Sequence, residues 1–478
     1  MDAVVIGSGP NGLVAANLLA DAGWSVVVVE EQPSAGGAVR TAEVTVPGYR
    51  SDLFSAFYPL AVASPVMRRL DLGRHGLRWR HAPLVLADPG LDGTCAVLSR
   101  DLSETAASLD ALAPGDLGPE SAASGIFGWL LAMLGQDVGF PVPEGGAYGL
   151  TAALVSRLRA AGGTIVTDTR VTGVVVRAGR AVGVRTASGE TIPARRAVLA
   201  AVDAPRLFGD LLDPEVLPPG FRRDLRRFQW DNGTVKVDWA LSGPIPWRAE
   251  AARRAGTVHL TGGLDAMTIH AARLATGRVP TEPMLVLGQM TTADPTRSPA
   301  GTESAWAYTH VPQRIRGDAG GDGLTGRWDE GETERFVQRM ETRLESMAPG
   351  FRDLVRARYV QTPRTFPQAD GNLHRGALNG GTAALQQQLV FRPVPGFARP
   401  GTPVRGLFLA SASAHPGGGV HGGPGANAAA AALRPHPPLN WPTSRRTGWR
   451  TDRRTDRRTD RLRLDPPDRG PADAGDAE

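Results

Sequence analysis

The chain has almost no lysine and almost no cysteine. Of its 53 basic residues one is lysine, Lys236, and the rest are arginine. Together with the high glycine and proline content, that bias reads as GC-rich coding rather than as a functional signal. Cys95 is the lone cysteine, which excludes an intramolecular disulfide and any CxxC redox pair. Long apolar runs are missing as well. The longest candidate, GIFGWLLAML at 125–134, is about half of what a bilayer span needs. The sequence opens on an apolar strand pattern, so no signal peptide is expected, and the expected location is cytoplasmic. The nine histidines show no HExxH or other metal-ligand spacing, so no metal is expected. There is no G-x-S-x-G elbow either.

Charge says little about partners. Residues 434–478 hold eleven Arg against eight Asp or Glu, which accounts for +3 of the formal +5. A basic pI is therefore no argument for nucleic acid, and none is expected as a partner. The same segment carries TDRRTDRRTDR and LDPPDRGPADAGDAE. It has too little apolar surface to offset its ordering entropy, so 435–478 reads as a disordered tail. The remainder, with 41% hydrophobic and 21% charged residues over the whole chain, reads as globular.

What is there begins with VVIGSGPNGLVAANLLADAGWSVVVVE. Gly7, Gly9 and Gly12 stand in G-x-G-x-x-G spacing between a strand at 3–7 and a helix at 11–22. A second apolar strand, WSVVVVEE, ends with Glu30, eighteen residues after Gly12. Each part has a physical role in holding a dinucleotide. Gly7 permits a tight turn, Gly9 lets backbone approach a pyrophosphate, and Gly12 lets helix and strand pack closely. The helix N-terminus offers free N–H groups to phosphate. Glu30 can accept from a ribose hydroxyl, and its charge argues against the 2′-phosphate of NADP. The motif leaves FAD and NAD both open.

Further along, the pattern predicts a helix over 147–163, short strands at TIVTD, RVTGVVVR, AVGVRTASG and AVLAAV, a strand at TVKVDWAL and a helix over 331–348. Then GLFLASASAHPGGGVHGGPGANAAAAAL (406–433) repeats the order of strand, glycine loop and helix.

Four segments resemble the phytoene-desaturase-like branch of the FAD-dependent amine oxidase and carotenoid desaturase superfamily. They are the N-terminal unit, GGAVRT (36–41), GFPVPEGGAYGLTAALVSRLRAAGGTIVTDTRV (139–171) and ASAHPGGGVHGGPGANAA (412–429). The resemblance implies an α/β fold. A Rossmann-like FAD-binding domain of the two-dinucleotide-binding type (1–50, 140–205 and 360–434) would be interleaved with an α+β substrate domain (51–139 and 206–359). It also explains the second glycine loop, which would cover the ribityl chain and ring of the FAD whose ADP half the first loop holds. By the same resemblance, Gly36 and Gly37 lie near the pyrophosphate, Val171 pairs with adenine, and Gly417, Gly418, Gly419 and Val420 pass close to the flavin. A helix starting near Gly425 then points its N-terminus at the ring. Ala38 stands where many relatives place arginine, leaving Arg40 as the nearest. Ser411 or Ser413 stands where many carry a carboxylate. A helical stretch of the relatives is shortened near 116–124.

The resemblance implies hydride transfer from a C–C bond of an apolar, isoprenoid or polyene-like substrate to flavin, with peripheral membrane contact. Lys236 would sit near flavin N5 and His421 beside the ring, as the catalytic candidates. The bland alternatives are an exposed strand lysine and a loop-bracing histidine. Trp230, Trp239, Trp247, Trp306 and Trp328 read as core or pocket wall. Two other functions stay open: a flavin amine oxidase, and a truncated FAD-binding protein without catalysis.

Overall fold

The computed structural model describes residues 1–112 and 125–434. The shortened connection near 116–124 and the tail 435–478 lie outside the described residues.

The N-terminal unit forms as its pattern predicts. Strand β1 (Ala3–Ile6) leads into helix α1 (Pro10–Asp21), and strand β2 (Val26–Val29) returns parallel to β1. Both strands are buried along their whole length, which is why they carry unbroken Ala/Val/Ile runs rather than alternation. Strands β3 (Leu84–Pro89) and β4 (Cys95–Leu98) belong to a second sheet. Helix α2 (Tyr148–Ala160) then feeds β5 (Thr164–Val166), and β6 (Ala197–Ala200) follows a small antiparallel sheet.

The next stretch, which the pattern leaves mixed apart from one strand and one helix, contains most of the second sheet. It comprises β7 (Gly233–Leu241), β8 (Ala255–Leu260), helix α3 (Gly263–Ala275), β9 (Leu285–Gln289), β10 (Glu303–Val311), helix α4 (Glu330–Met347) and β11 (Val355–Gln361). The chain closes its folded part with β12 (Leu407–Leu409) and α5 (Gly423–Leu433).

Two sheets organise these elements. The first is five-stranded and parallel, in the order β12-β6-β1-β2-β5. Helices α1, α2 and α5 cover one face through Leu13, Leu154 and Ala428, all fully buried. Apolar side chains from the small sheet and from residues 202–221 cover the other. The second sheet has seven strands, β11-β7-β10-β9-β8-β3-β4, antiparallel except between β8 and β3. Odd-numbered residues of β7 pack with α4: Val235, Val237 and Trp239 join Phe336, Met340 and Leu344 in one buried cluster. Each such side chain contributes roughly 2 kcal/mol of burial. Asp329 caps α4 by accepting from the Glu332 N–H at 2.9 Å. The other face of this sheet, with Thr257, His259, Trp306, Tyr308 and His310, walls a cavity. Among the described residues no helix is long and apolar enough to cross a membrane.

Candidate functional site

The first glycine loop sits between β1 and α1. Gly7 has φ +88°, a region that favours glycine. A Cβ on Gly12 would stand 2.2 Å from the Gly7 carbonyl oxygen, so strand end and helix start touch through hydrogen alone. Gly9 differs: a Cβ there would meet nothing within 4 Å. The open space beside Gly9 is the cavity. Gly37, at φ +52°, packs so that its own Cβ would stand 3.0 Å from Gly9 Cα. The Gly36 N–H donates to the Ser8 carbonyl at 3.2 Å.

Glu30 ends up tied to this loop. Its carboxylate accepts from the Ser8 N–H and hydroxyl, both at 2.7 Å, and from the Gln32 N–H at 2.9 Å. Glu30 and Val171 both line a narrow cleft of about 40 Å³, together with the ion-paired Glu31 and Arg206 at 2.6 Å. Arg40 donates to the carbonyls of Gly37 at 2.9 Å and Ala369 at 2.6 Å, and its guanidinium lies 5.3 Å from the Phe54 ring centre. It braces the loop rather than facing the cleft.

The second unit comes back to the first. Helix α5 begins at Gly423, just before the expected Gly425, and Gly425 packs on the Asn11 backbone in the first turn of α1. The two helix N-termini therefore stand side by side. Gly419 and Val420 line the same cavity as Gly9 and Gly12. Gly418 lies against Asn379, where a Cβ would stand 2.6 Å from the amide oxygen. His421 is not among the cavity's lining residues. Its Nδ1 accepts from the Gly423 N–H at 3.0 Å, and its Nε2 donates to the Gly418 carbonyl at 3.2 Å. Burial holds its pKa below the usual histidine range, in keeping with that neutral form. The ring braces its own loop. Ser413 is buried and occupied too: its hydroxyl donates to the Gly380 carbonyl at 2.7 Å and accepts from the Ala204 N–H at 3.0 Å.

The cavity is about 910 Å³ and runs from the glycine loops to the seven-stranded sheet. Phe54, Phe57, Leu86 and Trp306 are among its walls. Among the described residues, no Lys or Arg lines it. Gly288 makes room for the Trp306 ring, since a Cβ there would stand 2.4 Å from a ring carbon. Trp239 and Trp247 are fully buried core, as the pattern suggests.

Lys236 lies 2% exposed, with Nζ 2.5 Å from both Asp238 carboxylate oxygens. It does not line the cavity. Its cross-strand neighbour Tyr308 does, and so does Trp306, whose ring centre is 5.8 Å from Nζ.

Two carboxylates absent from the sequence reading stand at the loop end of the cavity. Asp370 lines both the cavity and the cleft, and a Cβ on Gly37 would stand 3.4 Å from its Oδ2. Asp203 lines the cavity and is joined to it through Asn372. The Asp203 N–H donates to the Asn372 side chain at 2.9 Å, and the Asn372 N–H donates to Asp370 at 3.0 Å. Burial pushes both carboxyls up to about 6. Neither sits in a spaced motif, so no local signal marks them.

These residues fit a flavin nucleotide. Two glycine loops converge, Gly9 has open space at its Cα, and two helix N-termini offer N–H groups and positive dipole ends.

Comparison with known proteins agrees. Residues 2–236 match the family described as DAO, FAD dependent oxidoreductase. The chain is 31% identical over 309 residues to mouse pyridine nucleotide-disulfide oxidoreductase domain-containing protein 2, covering 61% of this chain and 50% of that protein. It thus spans about half the length of that relative. It is 27% identical over 319 residues to the neurosporene-forming phytoene desaturase of Cereibacter sphaeroides, covering 65% and 56% respectively. In fold it is similar to the cyclohexylamine oxidase of Brevibacterium oxydans, with a TM-score of 0.56 at 17% identity over 90% of this chain and 98% of the other. Over residues 2–236, just under half of its length, the chain is thus similar to the family of FAD-dependent oxidoreductases.

Proposed function

We propose that the protein is an FAD-dependent oxidoreductase acting on an apolar, isoprenoid or polyene-like substrate, of the phytoene-desaturase-like kind. The observation that carries this reading is the cavity. It continues from the glycine loops into a space of about 910 Å³ with aromatic and aliphatic walls, and no Lys or Arg lines it among the described residues. The phytoene desaturase similarity supports the same substrate class.

A bound flavin would supply the two-electron acceptor that introducing a double bond into such a substrate requires. The chain's own residues do the rest. Gly7, Gly9, Gly36 and Gly37 let backbone approach the diphosphate. The N-terminus of α5 favours negative charge where the second loop passes. The apolar walls hold the substrate and exclude water. Val171 and Glu30 are the adenosine-side residues in this reading.

A second reading, amine oxidation, has one observation in its favour. Trp306 and Tyr308 stack on the cavity wall with centroids 6.0 Å apart, and Phe57 lies 5.8 Å from Trp306. Such rings could hold an ammonium by cation–π attraction. The test mixes the flavin-loaded protein without oxygen with a panel of isoprenoid hydrocarbons and a panel of amines. Flavin bleaching by hydrocarbons, with an added double bond by mass spectrometry, supports the first reading. Bleaching by amines alone supports the second. Flavin retention with no bleaching by either panel supports the non-catalytic alternative.

A further inference from the structure

The cavity is not apolar throughout. On the sheet wall the strand register sets polar groups in rows. Thr257 and Trp306 flank Gly288, and His259 and Tyr308 flank Val286. His310 follows along β10, opposite Thr234. His270 reaches the same cavity from α3. Its Nδ1 accepts from the Met284 N–H at 3.3 Å, which leaves Nε2–H as a donor.

Two of these groups, Thr257 and His259, lack hydrogen-bond partners among the described residues. Thr257 is 3% exposed, and its hydroxyl has no hydrogen-bond partner. The His259 ring makes no hydrogen bond among the described residues, although it lines the cavity. His310 is partly satisfied, by the Gly233 backbone and by Thr234 Oγ1 at 3.4 Å from Nδ1. Burial lowers the pKa of His259, His270 and His310, so all three favour the neutral form, which both donates and accepts. Buried polar groups are ordinarily satisfied, so unpartnered ones facing a cavity call for a ligand group.

We propose that this wall is an end-group subsite, and that the substrate is an apolar molecule carrying an uncharged oxygen function, a hydroxyl or carbonyl, rather than a pure hydrocarbon. The inference rests on the apolar-substrate reading above and narrows it. A carboxylate fits poorly, since no Lys or Arg lines the cavity among the described residues and Asp203 and Asp370 do. A site built to bond an oxygen function discriminates strongly against the analogue lacking it, because its own polar groups are then left unpaired.

The test measures binding to the flavin-loaded protein by tryptophan quenching, with Trp306 at the wall as reporter. The probes are n-octane, 1-octanol, octanal, octanoate and octylamine, which differ only at one end. Octanol or octanal should bind at least tenfold tighter than octane and octanoate. Thr257→Val, nearly isosteric, should cut that preference to under threefold while octane affinity holds. His259→Phe is the second variant and should act in the same direction. Equal affinity for octane and octanol overturns the inference, as does octanoate or octylamine binding tightest, or a preference untouched in both variants. If none of the five binds, the apolar-substrate reading falls, and this inference falls with it.

Discussion

Gly425 lies so close to Asn11 that a Cβ on it would stand 2.0 Å from the Asn11 carbonyl oxygen. The two strand–loop–helix units, four hundred residues apart in sequence, meet at this point. Because the obstacle is backbone rather than a flexible side chain, neither helix can yield cheaply. Gly425→Ala should push α5 off α1, lower the melting temperature and lose flavin. Gly401→Ala, where an added Cβ meets nothing within 4 Å, is the control. The packing argument fails if both variants melt and retain flavin alike.

Gly9→Val tests the ligand path separately from the fold. Gly9 has φ −61° and ψ 169°, which valine adopts without strain, and its Cβ position is open. The variant should therefore melt like the flavin-free wild type, yet bind no flavin. A yellow, fully loaded Gly9→Val protein would overturn the assignment of this loop to the diphosphate.

Asp370 and Asp203 set a pH dependence. Burial raises each from 3.8 to about 6. Between those values the folded protein holds protons that the unfolded chain has released, so these groups lower stability as pH rises through that window. Above about 6 both are charged, and Asp370 faces the loop that would carry a diphosphate. Asp370→Asn keeps an acceptor for the Asn372 N–H and removes the charge. At pH 8 it should be more stable than wild type by roughly 1–3 kcal/mol, and its flavin off-rate should be slower. Below about pH 4, where Asp370 is protonated in both the folded and the unfolded chain, the two proteins should converge. Melts and flavin release followed across pH decide this. A wild-type protein that gains stability from about pH 5 to about pH 7, with Asp370→Asn parallel to it, runs against the expected sign.

The parts of the site that were legible are those set by local spacing. Gly7 and Gly12 are constrained by a turn and a helix start within a few residues, so their pattern survives in any such unit. The second loop was legible for the same reason. Glu30 was legible as an acidic strand end, but its bonding to Ser8 depends on how the loop curls back. The polar cavity wall was not legible. In β10, ESAWAYTHV, both faces are buried, one in the core and one on the cavity, so no alternation betrays the strand. Thr257, His259 and His270 come together only through register between β8, β9 and β10 and the return of α3. Asp203 and Asp370 likewise meet from loops 167 residues apart in sequence, bridged by Asn372.

Lys236 is the last case, and its variant separates two roles. An ammonium near flavin N5 would stabilise negative charge as the flavin is reduced. The structure gives Lys236 a buried partner instead, with Asp238 pushed up to about 6 by burial even beside the lysine. Lys236→Met would leave Asp238 buried and unpaired, which should cost about 3–5 kcal/mol of stability. Lys236→Met combined with Asp238→Leu removes both charges. Replacing a buried pair by apolar groups is often neutral, so the double variant should recover most of the loss. Flavin reduction in that stable double variant is then the measurement that matters. The geometry predicts a rate within about threefold of wild type, under 1 kcal/mol of barrier. A tenfold drop, about 1.4 kcal/mol by the same relation, in a double variant that melts like wild type would mean that the field of the lysine reaches the reacting atoms from behind the wall.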